Sequence, residues 1–204
     1  MKISAVCFDL GNVLIRVEWQ RLAEQLAAKS PYEPEKIKQL LRDDPQPIAY
    51  ELGQITSAKF FAHLKKLLKY KGTAKEIRTA FSEIFTPLTE HIALAAMLSR
   101  HYPLAILSNT NEAHIAHAES AYSFFSLFPT RVYSYDIKAM KPHVDFYQAA
   151  HAALGAVDPL EILFIDDLEA NILAASKLGW QTIHLRPDVN LRDALASYEL
   201  LGLD

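Results

Sequence analysis

Five short apolar runs, each closed by small or polar residues and set between stretches of helical periodicity, constrain this chain more than anything else in it. The first, Val6-Cys7-Phe8, hands a single carboxylate, Asp9, into a Leu-Gly-Asn turn. The others cover residues 102–107, 131–135, 162–165 and 182–185. Runs this short and this apolar suit strands buried on both faces. Their alternation with helices predicts an α/β fold, a parallel sheet joined by right-handed crossovers. Asp9 is then expected at the carboxyl edge of the sheet, where open α/β proteins place their ligands.

The first crossover breaks the rhythm. It runs for about 90 residues and is mostly helical, against the dozen or so that an ordinary crossover needs. Trp19, Leu22, Ala23, Leu26 and Ala27 recur at helical spacing, and a second helix is expected over 35–42. Thr56-Ser57 opens a third helix with Phe60, Phe61, Leu64, Leu67 and Leu68 as its stripe, and 75–84 supplies a fourth. Pro31, Pro34, Pro45 and Pro47 punctuate them. The economical division is an α-helical cap over residues 16–86, inserted into a core of residues 1–15 and 87–204 and lying above Asp9. Within the core, helices are expected around Ile92–Leu98 and over 144–154, 169–178 and 191–201.

Composition sets limits on function. At 204 residues, half of them hydrophobic and 22% charged, the chain has the balance of a globular protein. A formal charge of −3 provides no field for nucleic acid or a membrane surface, and neither partner is expected. The lysines at 65, 66, 69 and 71 alternate with Leu64, Leu67, Leu68 and Tyr70, the pattern of a solvated helix face. Cys7, inside the first apolar run, reads as a small core residue, and a single cysteine forms no internal disulfide. No secretory pattern opens the sequence and no apolar segment approaches 18 residues, so a cytoplasmic location is expected.

Four polar clusters remain: Asp9; Ser108-Asn109; Lys141, before Pro142; and Asp166-Asp167. A parallel sheet would gather them at one edge. In order and type they resemble the haloacid dehalogenase (HAD) superfamily. Phe8-Asp9-Leu10-Gly11-Asn12-Val13-Leu14, Leu107-Ser108-Asn109-Thr110, Met140-Lys141-Pro142 and Phe164-Ile165-Asp166-Asp167 carry the resemblance over nearly the whole chain. It implies a Rossmann-like core with a helical C1-type cap, and members with the same Asp-Leu-Gly-Asn-Val run include sugar-phosphate phosphatases.

The chemistry follows from the residue types. A carboxylate can attack phosphorus and split one hard displacement into two through an aspartyl phosphate, the role expected of Asp9. Carboxylate and phosphoryl group repel, which calls for a hard cation, and Mg²⁺ suits oxygen ligands. Asp9 and Asp166 are the expected carboxylate ligands, the resemblance adds the Gly11 carbonyl, and Asp167 and Asn171 are expected to support them. Lys141, the Ser108 hydroxyl and the amides of Leu10 and Asn109 would hold the phosphoryl oxygens. The expected activity is Mg²⁺-dependent hydrolysis of a small phosphate ester, such as a sugar phosphate. Two other readings stand beside it: a metal-independent 2-haloacid dehalogenase, and a non-catalytic phosphate-binding or partner-docking module on the same fold.

The pattern also departs from the family. Phosphatases of this kind usually carry a second Asp two residues after the nucleophile, and here that position is Gly11. Val13 stands where a Thr is common. An anomeric phosphate, with its more acidic leaving group, would suit the loss of the acid. Among residues of the cap segment, Arg16, Trp19 and Glu51 lie where they could face the site. His114 and His117 share a helix spacing but have no third partner for zinc, and His143 reads as a loop residue.

Overall fold

The computed structural model describes residues 2–155 and 157–201. In chain order the elements are β1 (Ala5–Phe8), β2 (Ile15–Val17), α1 (Trp19–Ala27), α2 (Pro34–Asp43), α3 (Gln46–Glu51), α4 (Ser57–Leu67) and α5 (Ala74–Ser82). They continue with β3 (Phe85–Pro87), α6 (Thr89–Leu98), β4 (Leu104–Ser108), α7 (Glu112–Ala121), β5 (Thr130–Tyr133), α8 (Ser134–Ile137) and α9 (Val144–Ala153). The last are β6 (Ile162–Asp166), α10 (Glu169–Lys177), β7 (Gln181–His184) and α11 (Leu191–Ala196).

Five strands form one parallel sheet in the order β5-β4-β1-β6-β7, flanked by helices. β1, β4 and β6, its three central strands, are buried at every position, as their uninterrupted apolar sequences require. Cys7 is fully buried among them. Because β1 lies in the middle, Asp9 emerges between the ends of β4 and β6, so Ser108 and Asp166 arrive on either side of it.

All five helices α1–α5 fall between β1 and β4, where the long crossover was expected. Thr56 and Thr73 cap α4 and α5, accepting from the amides of Lys59 and Glu76, and Glu76 completes a capping box. Lys65, Lys66, Lys69 and Lys71 are exposed, as a solvated face should be.

Five features differ from the sequence reading. Residues 46–51 form α3 despite Pro45 and Pro47, because Pro47 occupies the first turn, where its missing N–H costs nothing. β2 and β3 pair antiparallel at the two ends of the helical insertion. Each is only three residues long, too short for an alternation to register. Trp19, placed on an apolar stripe, is 48% exposed, so α1 packs through Leu22, Ala23 and Leu26 instead. The run expected over 131–135 ends as strand at Tyr133, where α8 begins, and the final helix stops at Ala196.

Candidate active site

Asp9, Ser108, Lys141, Asp166 and Asn171 converge at the carboxyl edge of the sheet, each at most 8% exposed. Charges so far from water must be paired, and they are. The Lys141 ammonium lies 2.9 Å from Asp9 Oδ1 and 2.6 Å from Asp166 Oδ2, and it donates to the Leu107 carbonyl at 2.8 Å. All three of its N–H directions are thus used.

Lys141 is itself aimed by Asn109. The Asn109 side chain donates to the Lys141 carbonyl and accepts from the Lys141 amide, both at 2.8 Å, across the cis Lys141-Pro142 bond. The sequence pointed to the Asn109 backbone amide, and the clamp made by its side chain was not anticipated. Only the fold brings residues 109 and 141 together. The Ser108 hydroxyl has one long contact, 3.4 Å to the Asn109 carbonyl, which leaves it free to turn towards a ligand.

The two acids after β6 have different surroundings. Asp166 is fully buried, and both its oxygens are engaged: Oδ1 accepts from the Leu168 amide at 2.8 Å, Oδ2 from Lys141, and Asn171 Nδ2 lies 3.0 Å from each. Asn171 is in turn held through its carbonyl by the Tyr147 hydroxyl. Asp167 is half-buried and takes one side-chain bond, from Asn12 Nδ2 to Oδ2 at 3.1 Å. A cleft of about 900 Å³, lined by Asn12, Arg16, His91, Asp167 and Arg186 among others, brings solvent to its side.

Electrostatics show a deficit of positive charge. Burial and the neighbouring Asp166 push the Asp9 carboxyl above its usual range against the pull of Lys141. Lys141, although burial works against its charge, is held above an ordinary lysine by Asp9 and Asp166. Burial raises Asp167 as well. Asp9, Asp166 and Asp167 each bring an oxygen within 4.8 Å of the others, and the Lys141 ammonium pairs with the first two alone. A hard divalent cation fits this donor set. The Gly11 carbonyl accepts none of the turn's backbone hydrogen bonds among the described residues, as a further oxygen ligand should.

Backbone strain in the turn falls on Asn12, at φ 55°, a conformation Asn tolerates, and Gly11 has no positive φ. A Cβ at Gly11 would meet only Val17 Cγ2, at 3.5 Å. The acid missing there is not excluded by space. Arg16 is exposed on β2, His114 is buried beside the helical insertion and joins no cluster of three metal-binding side chains among the described residues, and His143 caps α9 through its ring.

Sheet order and clustered acids together define an α/β protein with an acidic, aspartate-centred site at the carboxyl edge of its sheet. The family model for haloacid dehalogenase-like hydrolases matches residues 3–179, and the chain belongs to that family. An HAD family enzyme from Bacteroides thetaiotaomicron, solved in complex with magnesium and inorganic phosphate, superposes with a TM-score of 0.84 at 27% identity, covering 94% of this chain and 98% of that one. L-2-haloacid dehalogenase from Xanthobacter autotrophicus, with chloropropionic acid covalently bound, shares the fold at a TM-score of 0.65 and 22% identity over 98% of this chain and 84% of its own. Among curated proteins, enolase-phosphatase E1 of Saccharopolyspora erythraea is 47% identical over 49 residues, 24% of this chain and 20% of that protein. (S)-2-haloacid dehalogenase 4A of Burkholderia cepacia is 28% identical over 120 residues, 59% of this chain and 52% of its own length. The chain thus spans about half or less of the curated relatives it matches.

Proposed function

We propose that this hydrolase is a Mg²⁺-dependent phosphatase of small phosphate monoesters, with Asp9 as nucleophile and the insertion over residues 16–86 as its cap. The carrying observation is three carboxylates within 4.8 Å of one another, of which only Asp9 and Asp166 pair with the Lys141 ammonium. A metal-independent dehalogenase has no use for that surplus of negative charge. The magnesium and phosphate held by the Bacteroides relative support the same reading.

Asp9, the Gly11 carbonyl and Asp167 would hold the ion. Asp167 is the acid with room for it, while Asp166, enclosed by Lys141, Asn171 and the Leu168 amide, orients the lysine. When bound, Mg²⁺ supplies the positive charge that lets a carboxylate and a phosphoryl group approach. Ser108 and the amides of Leu10 and Asn109 would donate to the phosphoryl oxygens, while Lys141, its N–H groups committed to Asp9, Asp166 and the Leu107 carbonyl, would contribute its charge. An Asp9 oxygen attacks phosphorus, the bond to the leaving oxygen breaks, and water then cleaves the aspartyl phosphate to restore Asp9.

Two comparisons test this. Wild type should release phosphate from an aryl phosphate, and both Asp9→Asn and EDTA should abolish that release. Release that survives chelation would overturn the metal-dependent mechanism, and halide release from 2-chloropropionate without phosphate release would make the protein a dehalogenase.

A further inference from the structure

The cleft beside Asp167 is far larger than a phosphoryl group requires. Its volume of about 900 Å³ falls in the range of sites that enclose a whole small molecule. Asn12 and Asp167 both line it, and an Asp167 oxygen lies within 4.8 Å of one from Asp9, so the cleft begins where the phosphoryl group would sit. Of the residues of the cap segment expected within reach of the site, Arg16 lines this cleft, and neither Trp19 nor Glu51 does.

Two guanidinium groups line the cleft from distant parts of the chain, Arg16 on β2 and Arg186 two residues past β7. Arg16 is exposed and makes no ion pair or side-chain hydrogen bond among the described residues. Arg186 meets only Asp188, at 3.3–3.4 Å, and both partners are more than half exposed. A pair so open to water is worth little, and a better-placed anion can displace it. The Thr86 and Thr89 hydroxyls, also unpartnered among the described residues, add neutral donors to the same cleft. Its acids are Asp167 and Glu90. In the proposed mechanism Asp167 faces Mg²⁺, so Glu90 alone opposes the two arginines. Cations that serve no partner within the chain, gathered in a cleft that opens beside the reacting atoms, suit an anion brought by the substrate.

We infer that this cleft binds the non-reacting end of the substrate, and that Arg16 and Arg186 hold a second anionic group there. The substrate is then a phosphate monoester that also bears a carboxylate or a second phosphate. This rests on the phosphatase reading and narrows it. A guanidinium meets either oxyanion through two parallel N–H bonds, which a neutral hydroxyl cannot match. Monoesters with an uncharged remainder leave both arginines without a partner and are the poorer substrates.

Steady-state kinetics on the full chain with Mg²⁺ test it, using matched pairs of monoesters that differ by one anionic group: a phosphorylated hydroxy acid with its amide, and a sugar bisphosphate with the sugar monophosphate. For wild type, the more anionic member of a pair should lead by about tenfold or more in kcat/KM, and the pair that shows the larger preference tells carboxylate from phosphate. In the double variant carrying Arg16→Gln and Arg186→Gln that preference should fall about tenfold, mainly through KM. Both residues are exposed, so the double variant should melt close to wild type. Equal turnover within every pair, a lead for the neutral member, or a preference that survives in the double variant would overturn the inference while leaving the phosphatase reading intact. Wild type inactive on every phosphate ester would overturn both.

Discussion

The catalytic edge and the seam beneath the helical insertion are both buried, yet they are held together by opposite means. At the edge, Lys141, Asp9, Asp166, Asn109 and Asn171 are fixed by directed, mostly charge-assisted bonds of 2.6–3.0 Å. At the seam, Tyr50, Phe60, Phe61 and Phe81 from the insertion stack among themselves, and Phe81 lies on His114 of α7 with centroids 4.4 Å apart. The His114 Nε2 has no hydrogen-bond partner among the described residues. Directed networks tolerate no displacement and suit chemistry. Aromatic packing can slip and re-form, as the proposed cap would need in order to part from the core.

The comparison breaks most visibly at Lys141. Lys141→Met should lower phosphate release by more than about 10³-fold. It should also destabilise the fold by about 3–5 kcal/mol in urea titration, because it strands two buried carboxylates. A variant that stayed as stable as wild type would mean that the edge is held by something other than charge. Next comes Gly11→Asp, which restores an acid where space allows one. Turnover of an alkyl phosphate should rise on the order of 10²-fold while an aryl phosphate, whose leaving group needs no proton, changes little. Asn171→Ala, which frees Asp166 and with it loosens Lys141, should lower kcat/KM for an aryl phosphate about tenfold in steady-state assays.

The smallest effect belongs to the seam. Burial holds the His114 imidazole down to about 3. The unfolded chain takes up that proton near pH 6.5 and the folded one does not, so stability falls as pH drops from about 6.5 towards 3. The cost should reach on the order of 2–3 kcal/mol at pH 4. His114→Phe keeps a ring against Phe81 and removes the titration, so its acid-side loss should be shallower than that of wild type in paired melts at pH 7 and pH 4.

Periodicity reported what repeats locally. The five sheet strands, four of the helices in the insertion and the burial of Cys7 were all readable, since each rests on spacing or apolarity within one segment. Asp9, Ser108, Lys141 and Asp166-Asp167 were readable because they fall at strand ends or beside a proline. What lies between segments was not. The Asn109 clamp on Lys141, the Asn12 bond to Asp167 and the Tyr147 bond to Asn171 join residues 24 or more positions apart, and no local pattern encodes them. The contrast between Asp166 and Asp167 is of the same kind. Adjacent and chemically identical, they are told apart chiefly by Lys141, which arrives from another segment to pair with the first, beside the Leu168 amide and Asn171 that follow it in sequence.

The account turns on the identity of the nucleophile. Rapid acid quench of wild type mixed with Mg²⁺ and a reactive aryl phosphate, followed by peptide mass spectrometry, should locate a phosphoryl group on Asp9, absent in Asp9→Asn. Steady phosphate release with the phosphoryl group on another residue would contradict it.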